Sequence, residues 1–314
     1  MTSVTLAPTP PATATGFRHE ALLWRDEADF LAAALPFVVG GLEERQPVLV
    51  AVTPTRLGWL RSALGPDAEL VQFVDMTVAG ANPARIIPMW QAFLQRADGE
   101  PVRGIGEPIW AGRRPVELSE CQLHEALLNH AVAADTPLWL LCPYDTGSLD
   151  QAVLDEVYRS HPASDMSRLE PAHLDRAGEL FAAQLPPGPH TVLVRHVVTV
   201  TALSAMRAAV ETAASGEGLP AERVYGLVLA AHEVATNSLT HGEGEPVLTL
   251  WATPESVVCE VRDQGRIIDP LIGRVAPAVD AGSGRGVWMA NQLCDLVQVR
   301  SGETGTVTRL HMWR

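Results

Sequence analysis

The chain has 314 residues, of which 47% are hydrophobic and 19% charged, and its formal net charge is −14 at pH 7. This length suits two domains, and the apolar share is large enough to build a core in each of them. The acidic balance and the lack of a basic run argue against direct nucleic-acid binding and against an anionic membrane surface, because both attract clustered cations. All cations of the Lys/Arg class are arginine, which excludes the lysine of a Walker-type phosphate loop.

The N-terminal residues and the cysteines indicate the cellular compartment of the chain. Residues 1–16 are rich in Thr, Ala and Pro and predict a disordered tail, not a signal peptide. The sequence has no run of about 20 apolar residues that could cross a bilayer. The four cysteines are far apart and form no CxxC pair, so we expect reduced thiols in a cytoplasmic protein and no zinc site.

The first folded block, residues 17–162, alternates helical and strand patterns. Helices are predicted at 26–39, 54–64, 84–94 and 119–132, and strands at 47–52, 70–73, 102–105 and 138–142. The strands are continuously apolar, as in PVLVAV and LWLLC, which is typical of parallel strands buried on both faces. We therefore expect a three-layer α/β domain.

The remainder of the chain predicts a linker and a second domain. Residues 163–190 form the linker, with an alanine-rich helix that the PPGP cluster at 186–189 ends. In residues 191–314, helices are predicted at 203–214, 220–241 and 286–294, and strands at 191–198, 246–251, 257–261, 296–300 and 305–312. Strands that follow one another without helices favour a mixed sheet with helices on one face, a two-layer α/β sandwich.

Three polar clusters of the second domain point to a nucleotide. Glu233 and Asn237 are four residues apart on one predicted helix, so both side chains can reach one ion and its water, and His241 continues that face. Asp263-Gln-Gly265 ends a strand and places a carboxylate at the sheet edge. The glycine-rich run GSGRG at 282–286 opens a helix, where backbone N–H groups favour phosphate. Taken alone, each cluster also suits a solvated helix face, an ordinary turn or a flexible loop.

The order of these clusters, followed by Gly305-Thr306 in the last hairpin, resembles the GHKL ATPases. The segments ATNSLTHG, RDQGRIIDPLIGR, GRGVWMANQLCDLVQVRS and GTVTRLHM are most similar to actinobacterial anti-sigma factor serine/threonine kinases. The resemblance implies ATP and Mg²⁺ as cofactors. The sequence differs from the common Asp-x-Gly-x-Gly pattern of these ATPases, because Arg266-Ile267 follows Gly265 in place of a second glycine. This difference favours slow or absent turnover of ATP.

The resemblance also implies a role for each matched residue. Glu233 is the expected catalytic base and Asn237 the Mg²⁺ ligand. Asp263 is expected to bind adenine. The other residues expected around the nucleotide are His241, Gly265, Gly282, Gly284, Arg285, Gly286 and Thr306. By extension, we expect Arg274 and Arg285 to reach the γ-phosphate from the lid, residues 270–284, and from its end. Arg207, on the first helix of the domain, is the expected contact to a partner protein.

The first block resembles the MEDS sensory domain through FRHEALLW, GANPARIIPMW, GIGEPIW, LHEALLN and LLCPYD. This resemblance implies a small organic ligand. The expected pocket residues are His19, Trp24, Glu107, Trp110, His124 and Tyr144. The alternative is that these side chains are core residues. The pair His124-Glu125 on a predicted helix suggests a phosphoacceptor box, but the strand-rich surroundings argue against a histidine kinase hairpin.

Together these observations predict a cytoplasmic regulator with a sensory domain and an ATP-binding domain. We expect it to sequester a sigma factor and to phosphorylate a STAS-domain anti-anti-sigma protein on Ser or Thr. Because the kinases that it resembles form pairs, a homodimer is also expected. The alternative is a ligand-responsive binding protein without kinase activity. An autonomous ATPase is a third hypothesis.

Overall fold

The structure is a computed structural model that describes residues 16–161, 171–277 and 285–314, with side chains from residue 175 onward in the second range. Two compact units result: Met1–Gly80 with Met89–Arg176, and Ala81–Pro88 with Ala177–Arg314. The predicted tail at 1–16 lies outside the described residues except for its last position. Among the described helices, none is long and apolar enough to span a membrane.

The N-terminal elements form a parallel α/β arrangement, as predicted. Their bounds are β1 (Arg18–Trp24), α1 (Glu27–Glu43), β2 (Val48–Val52), α2 (Pro54–Leu64), β3 (Gln72–Asp75), α3 (Met76–Ala79), α4 (Ile86–Ala97), β4 (Val102–Gly106), α5 (Pro115–Ala131), β5 (Leu138–Asp145) and α6 (Gln151–Ser160). The sheet order is β1-β5-β4-β2-β3, and every neighbouring pair is parallel. Strand β1 and helix α6 had not been predicted from the sequence. The alternation in RHEALLW is imperfect, and α6, although amphipathic, has only ten residues, fewer than the window of about 11–18 residues in which a helical period is normally recognised.

One face of this sheet packs against α1 and α2 through apolar side chains. Alternate residues of β2 contribute Val48, Val50 and Val52, and β4 contributes Ile105. They join Phe30 and other buried residues of α1 and α2 in one cluster. Burial of both faces explains why the strands are apolar without alternation.

The opposite face of β4 is made of glycines, which leave room for a large side chain. A Cβ on Gly104 would lie 2.6 Å from Trp90 of α4, and one on Gly106 would lie 2.9 Å from the same ring. Trp90 is 1% exposed. Glycine inside a strand often marks such a close approach, so helices cover both faces and the three-layer prediction is confirmed.

The C-terminal elements form the second sheet. Their bounds are α7 (Pro171–Ala182), β6 (Val194–Val197), α8 (Leu203–Gly216), α9 (Ala221–His241), β7 (Val247–Ala252), β8 (Ser256–Asp263), α10 (Arg285–Leu293), β9 (Leu296–Gly302) and β10 (Gly305–Trp313). The order is β6-β7-β8-β10-β9, and each neighbouring pair is antiparallel. The prediction of a mixed sheet was therefore wrong. Two hairpins account for the pairs β7–β8 and β9–β10, and the two helices between β6 and β7 return the chain antiparallel.

The two faces of the second sheet differ in polarity. On the helix face, Leu310 and Met312 are buried, and Met312 approaches Gly226 of α9. On the other face, Arg309 donates to Glu260 and to the carbonyl of Pro186, and Trp251 contacts the position of Gly188. The linker therefore shields a polar face, while α9 and its neighbours cover the apolar one in the expected α/β sandwich.

Candidate functional site

Helix α9 carries Asn237, the predicted Mg²⁺ ligand, and Glu233, the predicted catalytic base. Its buried face includes Leu227, Ala230 and Val234, which pack against the sheet. Glu233 and Asn237 are one turn apart and half-buried. Within the described ranges, neither side chain makes a hydrogen bond or an ion pair.

The start of α10 lies directly against Asn237. Gly286 is in the first turn of α10, and a Cβ at this position would lie 2.5 Å from Asn237 Nδ2 and 3.4 Å from its Oδ1. Only glycine leaves the amide in place at this distance. The helix N-terminus, whose free N–H groups favour anions, therefore adjoins the amide on α9. Gly282 and Gly284 lie outside the described residues.

Asp263, at the end of β8, is held by its neighbours in the predicted turn. Its Oδ1 accepts from the backbone N–H of Gly265 at 2.8 Å, and its Oδ2 accepts from the Ser238 hydroxyl at 2.6 Å. A Cβ on Gly265 would lie 2.7 Å from the Cα of Gly242. Ser238 follows Asn237 in sequence, so the carboxylate is oriented from the same helix that carries the amide. The sequence analysis missed Ser238, although it lies inside the ATNSLTHG segment.

Thr306 closes this turn from β10. Its hydroxyl donates to the carbonyl of Gly265 at 2.8 Å and contacts the Ser301 hydroxyl at 2.9 Å. Ser301 in turn accepts from the backbone N–H of Ile267 at 2.8 Å. Thr306 also pairs with Asp263 across the two strands. The residues after β8 are thus fixed by β9 and β10, and Ser301 is a second contributor that the motifs did not reveal.

The remaining predicted residues of the second domain lie in different environments. His241 ends α9 and is exposed, as is Arg285 at the start of α10. Arg274 is 5% exposed and follows Gly273, whose carbonyl accepts from Asn291 of α10. Arg207 is exposed on α8. The structure therefore groups Asn237 with Gly286 and Asp263 with Gly265 and Thr306, with Ser238 joining the two groups.

The six predicted pocket residues of the first domain do not converge on one site. His19 and Tyr144 point to the face covered by α5, whereas Trp24 packs with Phe30 on the opposite face. Trp110 stacks with Arg113, whose guanidinium carbon is 3.8 Å from the ring centroid. His124 is buried on α5.

Glu107 belongs to a polar group at the carboxyl ends of the strands. It accepts from the backbone N–H of Thr53 at 2.8 Å and lies 3.4 Å from Arg56 Nε. Arg56 also contacts Asp145 and stacks over Trp24. Burial raises the pKa of the Glu107 carboxyl, against the opposing effects of Arg56 and the Thr53 amide. Arg56 was not singled out from the sequence.

A second polar group surrounds His19 on the α5 face. It consists of His19, Glu125 of α5, Cys142 of β5 and His161, which directly follows α6. All four are buried, and their potential ligand atoms lie within 4.8 Å of one another. The sequence analysis had interpreted Cys142, like the other three cysteines, as a reduced thiol, and Glu125 only as part of a rejected phosphoacceptor box. Their separation along the chain gave no motif by which to join them.

Comparison with known protein families gives one match for each of the two domains. Residues 18–162 match the MEDS family, described as the methanogen/methylotroph, DcmR sensory domain, and residues 197–312 match the histidine kinase-like ATPase domain family. The chain is a MEDS domain followed by a histidine kinase-like ATPase domain. The Glu233–Asn237 helix, the Asp263 turn and Gly286 all lie within the ATPase domain.

Comparisons with individual proteins add less. No curated protein matches the chain. A solved structure of the RsbU and RsbW domains of Rv1364c from Mycobacterium tuberculosis is 19% identical, with a TM-score of 0.30. The match covers 38% of this chain and 32% of that chain, so this chain spans about a third of that protein.

Proposed function

We propose that the chain is an anti-sigma regulatory factor whose ATPase domain binds Mg²⁺-ATP and phosphorylates a STAS-domain partner on Ser or Thr. The observation that carries the proposal is the convergence of Asn237 with Gly286 and of Asp263 with Gly265 and Thr306. Sequestration of a sigma factor by the same domain is part of the proposal. The MEDS domain would bias these activities through a small organic ligand.

The residues present fit a Mg²⁺-bound nucleotide. Asn237 offers an amide oxygen of the kind that Mg²⁺ accepts while it keeps several waters. Gly286 lets the first turn of α10 pack directly against that amide, so the helix N-terminus, which favours anions, lies beside the proposed Mg²⁺ ligand. Asp263 retains accepting capacity beyond its two internal hydrogen bonds, as required for an exocyclic amine. His241 and Arg285 are exposed at the ends of their helices and are the flanking polar groups.

Glu233 is the group proposed to take the proton from the partner hydroxyl. It lies one turn before Asn237 and makes no hydrogen bond to another residue in the described ranges. ATP supplies the γ-phosphoryl group, and transfer of this group depends mainly on positioning and on charge neutralisation. The buried Arg274 is the proposed source of positive charge from the lid.

Partner binding is proposed for helix α8 of the ATPase domain. Arg207 is exposed on this helix, while Met206 and Val210 face the core. The exposed side of α8 can therefore be altered without disturbing the packing. The net charge of −14 favours partners with basic surfaces.

Calorimetry tests the nucleotide site directly. Wild-type protein is titrated with ATP and ADP in the presence of Mg²⁺, alongside Asn237→Ala and a matched control, Thr240→Ala, on the exposed side of α9. We expect binding by wild type and control, and at least about tenfold weaker binding by Asn237→Ala, as is typical when support of a metal is lost. No heat from the folded wild type would exclude the site.

Transfer is tested with labelled ATP and a STAS-domain protein encoded near this chain. Glu233→Gln is expected to lower the rate by about 100–10,000-fold, the range for general base catalysis, while nucleotide affinity stays within a factor of about three. Equal rates for the variant and the wild type would remove Glu233 from the mechanism.

The alternative is a regulatory binding protein that holds nucleotide without transferring phosphate. One observation favours it: Arg266 and Ile267 follow Gly265, and the N–H of Ile267 is tied to Ser301. The segment that leads into the lid is thus more restrained than it would be with a second glycine. Nucleotide-dependent capture of a sigma factor or STAS protein without any transfer would establish this alternative. Phosphate release without a partner would instead indicate an autonomous ATPase.

A further inference from the structure

His19, Glu125, Cys142 and His161 are buried side chains of the types that bind metals, and they come from four separate parts of the MEDS domain. Glu125 Oε2 lies 3.1 Å from His19 Nε2 and 2.9 Å from His161 Nε2. Cys142 Sγ lies 3.3 Å from His19 Nε2. His161 is the most exposed of the four, at 8%. An imidazole pair, a carboxylate and a thiol therefore meet in a space closed to water.

The Nδ1 atom of each imidazole faces a hydrogen-bond acceptor, and this determines whether the Nε2 atom of the same ring carries a hydrogen. The amide of Asn129 donates from Nδ2 to the carbonyl of Ser160, so its Oδ1 faces His19 Nδ1 at 2.8 Å. His161 Nδ1 lies 2.9 Å from the carbonyl oxygen of Val157. Both Nδ1 atoms must therefore carry the hydrogen and donate it.

With Nδ1 protonated in each neutral ring, both Nε2 atoms present a lone pair to the same carboxylate oxygen. In the described part of the chain, Glu125 Oε1, Glu125 Oε2 and His161 Nε2 lack a hydrogen bond of normal geometry. Lone pairs that converge without hydrogens are costly in a buried site unless a cation lies among them.

The spacing and the charge suit one divalent ion. Ligand atoms around a tetrahedral Zn²⁺ lie roughly 3.3–3.8 Å apart, given metal–ligand bonds of about 2.0–2.3 Å. Three of the six separations between the four ligand atoms are 2.9, 3.1 and 3.3 Å and need only small shifts to reach that range, and all six lie within 4.8 Å. A carboxylate and a thiolate together balance a charge of +2. Imidazole and thiolate favour zinc and its first-row neighbours over Mg²⁺ or Ca²⁺.

We propose that His19, Glu125, Cys142 and His161 bind one divalent transition-metal ion, Zn²⁺ or a close analogue, in the interior of the MEDS domain. The ion joins β1, β5, α5 and the end of α6, and Asn129 is a positioning residue that orients His19. When the metal binds, the Cys142 thiol releases its proton to solvent and the sulfur becomes a thiolate ligand. The sequence-based expectation of no zinc site is reversed by this proposal.

The test uses the full chain without added nucleotide. Elemental analysis of purified protein is expected to give about one transition-metal ion per chain. After removal of the ion with a chelator, Co²⁺ should restore one equivalent, with the near-ultraviolet charge-transfer absorption of a cobalt–thiolate bond. Zn²⁺ should also raise the melting temperature of the metal-free protein, because it binds the folded state.

Variants assign the ligands. Cys142→Ser should abolish the cobalt–thiolate band, and Glu125→Gln should weaken the metal by at least about tenfold. Cys259→Ser is the control, since Cys259 is an equally buried strand thiol outside the group. Metal-free wild-type protein that folds but binds neither Zn²⁺ nor Co²⁺ would overturn the proposal. Wild-type affinity in both ligand variants would overturn it as well, and neither result affects the nucleotide site.

Discussion

The two candidate sites, one in each domain, differ in how deeply their polar residues are buried. In the MEDS domain, His19, Glu125 and Cys142 are sealed inside the fold and contact one another. In the ATPase domain, Glu233 and Asn237 are half-buried and contact no other described polar side chain. A closed group suits an ion that stays bound, whereas an open group suits a nucleotide that is exchanged. The difference in burial is therefore the observation that separates the proposed metal site from the proposed nucleotide site.

The largest effect is expected from the packing that closes the first domain. Trp90→Ala should lower the free energy of unfolding by about 3–5 kcal/mol, because it empties the space above Gly104 and Gly106. Hydrogen exchange of β2 and β4 peptides measures the loss, with β8 peptides as an internal reference. Unchanged protection in β4 would mean that the glycines do not depend on this ring.

A smaller loss is expected at the turn that carries Asp263. Gly305 has φ 103°, and a Cβ there would meet the carbonyl oxygen of Asp263. Gly305→Ala should therefore cost about 2–4 kcal/mol, measured by hydrogen exchange in β8 and β10. Gly216→Ala is the control, since no atom lies within 4 Å of its Cβ position. Equal stability of the two variants would contradict the close approach of the two strands.

At the open site, crowding should affect the ligand more than the fold. Gly286→Ala places a methyl group 2.5 Å from Asn237 Nδ2 and forces the amide to move. A shift that costs about 1–3 kcal/mol corresponds to roughly tenfold or weaker binding of Mg²⁺-nucleotide. Calorimetry and thermal unfolding together separate affinity from stability. A large loss of melting temperature with unchanged affinity would reverse the assignment.

The smallest effect concerns a sealed carboxyl group. Because burial raises the pKa of Glu107, the folded chain holds its proton more tightly than the unfolded chain does. The stabilisation from this group is complete below the ordinary value near 4.5 and is lost as the pH rises through the raised pKa. Glu107→Gln should remove this dependence and raise stability slightly at neutral pH, measured by urea unfolding from pH 4 to 8. A variant less stable at pH 7 would show that the ion pair with Arg56 dominates.

The patterns with strong periodicity or several glycines were predictable. The parallel strands of the first domain are recognisable in the sequence as apolar runs. Helix α9 is recognisable as a long amphipathic pattern that carries Glu233 and Asn237. The order of the nucleotide motifs was sufficient to indicate the ATPase domain. Strand β1 and helix α6 were missed, and with them the position of His161 beside His19. The antiparallel pairing throughout the second sheet was also not predicted, because it depends on which strands become neighbours across long connections.

The sequence by itself determined which residue types are available: a base and an amide one helical turn apart, a strand-ending carboxylate, glycines at the start of α10, and arginine as the non-histidine cation. These follow from local spacing, which needs no knowledge of the fold. Only the tertiary structure decided that Ser238 orients Asp263 and that Trp24 and His19 lie on opposite faces of one sheet. It also decided that four residues between positions 19 and 161 meet in one buried group. Contacts of this kind depend on which strands become neighbours, and that is set by the packing of the whole domain.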